Sequence, residues 1–142
     1  MRIKNLTIAS VAVAGGVIAD YTGGWDTGLK MLVIFMCIDY VTGLVCAGIF
    51  HKSNNSETGA LESRAGFKGL CRKGMIIALV MVAHQADLIT GTTIIRNSVI
   101  IAFSCNEAIS VMENAAMMGL PVPVKLKEAI DILKDKNGDE NA

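Results

Sequence analysis

The chain has 142 residues, of which 52% are hydrophobic and 18% charged, with a mean hydropathy of +0.49 and a formal net charge of zero. Soluble domains usually carry about 25% charged residues, so the balance argues against a water-soluble core and predicts an all-α integral membrane protein. Equal numbers of basic and acidic residues, 13 each, leave no global field to draw nucleic acid.

Residues 1–19 open with Arg2 and Lys4, followed by the apolar stretch Leu6 to Ala19 with Gly15-Gly16 at its centre. The same pattern suits a secretory signal, with Val17-Ile18-Ala19 as its small-residue end. It is read here as a short, uncleaved first transmembrane segment, weak enough in hydrophobicity to enter the bilayer slowly or reversibly. Asp20 to Lys30 is a polar loop, with Tyr21 and Trp25 suited to a membrane interface. Leu29 to Phe50 reads as a second span. It carries Asp39 on one face with Thr42, Gly43, Cys46 and Ala47. Gly43 and Ala47 have the small-xxx-small spacing that lets helices approach closely.

Residues 51–74 form the long basic loop of a membrane core covering 20–120. Ser53-Asn54-Asn55-Ser56 marks a turn. The segment SRAGFKGLCRKG, Ser63 to Gly74, reads as an amphipathic approach to the third span, with Gly66 and Gly69 as packing positions and Arg64, Lys68, Arg72 and Lys73 as its charges. It lacks the Lys-Ser/Thr ending of a phosphate loop. Met75 to Thr90 is the third span and contains His84, Gln85 and Asp87. His84 and Asp87 alone are too few for a metal site. The turn Thr90-Gly91-Thr92-Thr93 leads into the fourth span. Arg96, just inside it, is placed to reach Asp87 or to snorkel outward.

Ile94 to Leu120 is the most informative stretch. It is long enough to cross a bilayer, for which about 20 apolar residues are needed. Yet it holds Arg96, Asn106, Glu107, Glu113 and Asn114, and a charge at mid-membrane costs roughly 2.5–3.5 kcal/mol. At helical spacing, Glu107, Ser110 and Asn114 form one row, and Asn106, Ser110 and Glu113 another that shares Ser110. Together they make a polar band, opposite Val99, Ile101, Ala102, Ile109 and Ala116. Such a band needs a water-filled lumen or a polar helix contact.

Gly119, Pro121 and Pro123 then stop the helix. Residues 121–142 read as an amphipathic cytoplasmic helix, Val124 to Lys136, and a polar tail. The four cysteines, Cys37, Cys46, Cys71 and Cys105, form no CxxC pair and read as free thiols. The basic segments are the start, the 51–74 loop and the tail, and basic segments stay cytoplasmic. About four transmembrane helices with both ends inside satisfy every connection. Asp39, His84 and Glu107 then share a depth, which predicts that His84 touches Asp39 or Glu107.

Three segments in order, DYVTGL (Asp39 to Leu44), SRAGFKGLCRKG and CNEAISVMENAAMMGLPVP (Cys105 to Pro123), resemble the toxin-secretion and phage-lysis holins, holin family 4. The resemblance covers most of Leu29 to Lys136. It implies a small phage-type protein of the bacterial cytoplasmic membrane that catalyses no reaction and needs no cofactor or metal. It implies homo-oligomers that open lesions for an endolysin or a large exported toxin, with an antiholin as a further partner. In the expected mechanism, single subunits hide their polar band against one another or within the bundle, and above a threshold density oligomers form in which Asn106, Glu107, Ser110, Glu113 and Asn114 line water, with Asp39 and His84 as further polar intramembrane candidates. An antiholin or membrane scaffold, and a small ion or proton channel subunit, are the competing readings.

Overall fold

The computed structural model describes residues 2–52, 62–126, 128, 129 and 132. Among them every regular element is helical: α1 (Arg2–Tyr21), α2 (Thr27–Val45) continuing as a π-helical turn (Cys46–Phe50), α3 (Ser63–Thr90) and α4 (Ile94–Met117). Among the described residues, three stretches are long and apolar enough to cross a bilayer, namely Ile3–Tyr21, Thr27–Phe50 and Ile94–Met117. α3 is not one of these.

Helices α2, α3 and α4 form a bundle, and each contributes one stripe at alternating three- and four-residue spacing. The stripe of α2 runs Leu29, Leu32, Met36 and that of α3 runs Ile76, Val80, Ala83. Ile100 completes the seam from α4, and Ile77, Val99 and Phe103 pack against it. The outward faces remain apolar: Ile34, Val41, Val82, Ile89 and Ile101 are all exposed. A bundle whose surface is as oily as its seam is suited to lipid rather than water.

α1 stands apart. No residue of Ile3–Tyr21 is buried, and of its length only Ala19, near the C-terminal end, is half-buried. That end is closed by two glycines. Gly23 takes φ +85 and donates to Asp20 O, while Gly24 donates to Ala19 O at 2.8 Å. This is a Schellman ending, which favours glycine at its left-handed position. A Cβ on Gly23 would lie 2.6 Å from His84 Nδ1. Gly119 (φ +87) ends α4 the same way, before Pro121 and Pro123.

One buried cation ties this end together. Arg96, 6% exposed, donates from Nε to Thr22 O, from one terminal nitrogen to Asp26 Oδ2 at 2.7 Å and from the other to Gly24 O at 3.3 Å. Asp26 also accepts from the Leu29 backbone N–H at 2.9 Å and so caps α2. Asp87, at the end of α3, caps α4 by accepting from the backbone N–H groups of Ile95 (3.0 Å) and Arg96 (2.7 Å). The sequence offered Asp87 or the interface as the destination of the Arg96 side chain. The guanidinium instead turns back to the α1–α2 loop, because Asp87 is already occupied by backbone donors and the loop offers two carbonyls and a carboxylate to a forked cation.

Two further expectations need correction. Ser63 to Gly74 is no loop: it is the first half of α3. The aromatic ring of Tyr40 lies over Gly66 and Gly69, 3.6–3.7 Å from where their Cβ atoms would be, so packing offsets the poor helix propensity of the glycines. His84 faces Gly23, and by helix rise it lies about 16 Å along α3 from Lys73, the residue that meets Asp39 and Glu107. The expected C-terminal amphipathic helix falls largely outside the described residues, as does the turn at 53–56.

Asp26 supplies a pH test. The hydrogen bond from Arg96, helped by the backbone donors of Leu29 and Gly28, holds its carboxyl below the ordinary aspartate value against the opposing pull of desolvation. A depressed folded-state value means the contribution is present above the ordinary aspartate pKa and lost as pH falls through the lowered one. The thermal midpoint in micelles should therefore drop as pH falls from about 5 to about 2, and Asp26→Asn should flatten that part of the profile.

Candidate functional site: a polar cleft among α2, α3 and α4

The three core stripes change character part-way along the bundle. On α2, Leu29, Leu32 and Met36 are followed at the same spacing by Asp39, Gly43 and Cys46. On α3, the stripe Val80 and Ile76 continues backward to Lys73, which is 9% exposed. On α4, Ile100 and Ser104 give way to Glu107 and Asn114, 4% and 7% exposed. Three helices thus bring polar side chains to the same level, just past the apolar seam.

The Lys73 ammonium is the junction. It donates to Asp39 Oδ2 at 2.7 Å and to Glu107 Oε2, joining all three helices through one nitrogen. Asn114 adds a second link between α4 and α2. Its amide nitrogen donates to Thr42 Oγ1 at 2.9 Å and lies 3.3 Å from both Asp39 Oδ1 and Asp39 O. Its backbone oxygen accepts from the buried Cys46 thiol at 3.3 Å. Thr42 in turn donates to Asp39 O at 3.1 Å. A Cβ at Gly43 would sit 3.8 Å from the Asn114 amide, in ordinary contact, and Ala47 is buried one turn further on.

From this junction a cleft of about 330 Å³ runs toward the end of the bundle that holds the start of α3 and the end of α4. Asp39, Asn106, Glu107, Ser110, Glu113 and Asn114 all line it. They are not equivalent. Glu107 and Asn114 are buried in the network, Ser110 is half-buried, and Asn106 and Glu113 are exposed. His84, grouped with them from the sequence, lies at the other end of the bundle. Ile109, assigned to the apolar face, is buried and lines the cleft. Among the described residues no group of side chains could hold a metal ion.

Sequence reasoning missed Lys73, which merged with the basic run before it. The distinguishing signal is spacing. Arg64, Lys68 and Arg72 repeat every four residues, whereas Lys73, Ile76, Val80, Ala83 and Asp87 alternate three and four and form the buried stripe of α3. Lys73 belongs to the core pattern, and its neighbours in sequence belong to the exposed one.

Comparison with known proteins aligns with this architecture. The model of the bacteriophage holin family matches residues 16–135. An uncharacterised protein of Listeria innocua is 42% identical over 127 residues, covering 89% of this chain and 85% of its own. An uncharacterised 14.9 kDa protein of Clostridium perfringens is 34% identical, covering 80% and 82%. A protein of Bacillus phage phi105, described as a probable holin, is 24% identical and covers 77% and 76%. No solved structure matches.

The junction predicts a strong asymmetry between single and paired substitutions. Lys73→Met strands the buried Glu107 carboxylate and the half-buried Asp39 carboxylate and should destabilise the bundle by about 3 kcal/mol. Adding Asp39→Asn and Glu107→Gln to it should recover much of that loss. Unfolding in micelles, followed by the near-ultraviolet signal, measures both.

Proposed function

The chain belongs to the bacteriophage holin family, and on that premise we propose that it is a lysis-type holin. It accumulates in a bacterial cytoplasmic membrane, self-associates, and opens a hole or lesion through which an endolysin, or a large toxin, crosses. It acts by assembly rather than by catalysis. The observation that carries the reading beyond family membership is the row of polar side chains along one cleft inside an otherwise apolar bundle. Asp39, Asn106, Glu107, Ser110, Glu113 and Asn114 are the groups that line water in the assembled state. In that state, hydration offsets the cost of keeping acids in hydrocarbon. His84 is left out of this set, because it sits at the opposite end.

The proposed topology keeps four spans and both termini in the cytoplasm. α3 is the third span. At 28 residues it is about 42 Å long by helix rise, against a hydrocarbon core of about 30 Å. The excess of about 12 Å corresponds to its first two turns, which project Arg64 and Lys68 toward cytoplasmic headgroups, in keeping with the positive-inside rule. Gly43, Ala47, Gly66 and Gly69 serve close helix packing. Conduction by one copy alone is disfavoured, because the seam of Leu29, Leu32, Met36, Ile76, Val80 and Ile100 closes the other half of the bundle.

Expression in a bacterial host tests the reading. The chain alone should give delayed, sudden lysis and dye leakage. A chain that never permeabilises on its own would be an antiholin or scaffold, and a steady ion flux without killing would point to a channel. The double variant Glu107→Gln, Glu113→Gln should shift the time of lysis and slow leakage. Unchanged timing and leakage would remove these acids from the mechanism.

A further inference from the structure

The expected mechanism has single subunits hide their polar row until they assemble. Within one copy that row already lines a cleft. It is lined by Asp39 to Ala47 of α2, by the start of α3 from Glu62 to Lys73, and by Asn106 to Met117 of α4. All three segments point to the same end of the bundle, the end carrying Lys68 and Arg72. At its floor stands the Lys73 junction. Beyond the floor the apolar seam begins.

We infer that each unassembled subunit contains a water-filled half-channel, open at the basic end, floored by Lys73, Asp39 and Glu107 and plugged by the apolar seam. The inference rests on the membrane embedding proposed above. Glu107 and Met117 are ten residues apart, so the half-channel is about 15 Å deep by helix rise, its mouth lying at the headgroups reached by the start of α3 and its floor within the hydrocarbon.

Three observations support it. The volume of about 330 Å³ accommodates about ten waters at some 30 Å³ each. Asn106 and Ser110 on one wall and Lys68 and Arg72 on another make a lining that acyl chains cannot solvate and water can. Finally, Ser104, one turn above Glu107, keeps its hydroxyl buried without a hydrogen-bond partner, the one such atom among the described residues. It lies on α4 where the polar floor gives way to the seam residue Ile100. On this account assembly does not wet the polar row for the first time. It has to wet the sealed half of each subunit.

Thiol labelling tests this without reference to lysis. The full chain, with Cys37, Cys71 and Cys105 changed to Ala and Cys46 to Ser, is placed in phosphatidylethanolamine/phosphatidylglycerol vesicles at one copy or fewer per vesicle. A membrane-impermeant cationic methanethiosulfonate is applied to the face that bears the basic end. The reporters are Ser110→Cys in the half-channel, Met117→Cys at its mouth, Val80→Cys in the seam and Ile101→Cys on the outer face. A thiol reacts as thiolate, which needs water, so Ser110→Cys should react within about tenfold of Met117→Cys, and Val80→Cys and Ile101→Cys about a hundredfold more slowly. Asn106→Cys serves as a second half-channel reporter if Ser110→Cys misfolds. Half-channel reporters as slow as Ile101→Cys would overturn the inference. Rapid reaction at Ile101→Cys would instead show that the outer face is not in lipid, and the membrane reading would fall with it.

Discussion

One ammonium group between two carboxylates holds this bundle in register. Lys73 on α3 joins Asp39 on α2 and Glu107 on α4, at the point where each core stripe passes from apolar to polar. A buried ion pair is weak evidence of net stability, since desolvation cancels much of the attraction. Its value here is positional. Each charge is tolerable only where the other two helices supply its partners, so a shift of any helix along its axis strands a charge. Asn114, tied to Thr42 and Asp39, fixes the same register a turn or two further along.

A second buried cation does the corresponding work at the far end. Arg96 gathers two loop carbonyls and Asp26, while Asp87 receives the first backbone donors of α4. Together they fasten the α1–α2 loop to the helix ends. α1 itself gains little from this, because its length is exposed. The molecule is therefore a three-helix unit with polar clasps at two levels and an apolar seam between them, joined to a fourth helix at one end.

Much of this was legible in the residues. Gly23-Gly24 and Gly119 with its two prolines mark helix ends for stereochemical reasons that context seldom overrides. The polar band of α4 was visible because Glu107, Ser110 and Asn114 interrupt an apolar run at helical spacing. Three things were not legible. Lys73 looked like one more member of a basic segment, because a charge run hides which of its members turns inward. The boundary of the third span was drawn too late, because the basic run of Ser63 to Gly74 looked like a connecting loop, and in the structure it is part of α3. His84 was assigned the depth of Asp39 because the third span was drawn from Met75, whereas α3 begins at Ser63; the residue level with Asp39 is Lys73, about 16 Å from His84 along the axis.

The account depends on the polar row facing water in the assembled state. Spin labels at Ser110→Cys and Ile101→Cys in assembled protein measure this directly, through their relative exposure to a water-soluble nickel relaxant and to lipid-soluble oxygen. The account predicts nickel access at position 110 and oxygen access at position 101. Oxygen access at 110 with no nickel access would place the row in the acyl chains and contradict it.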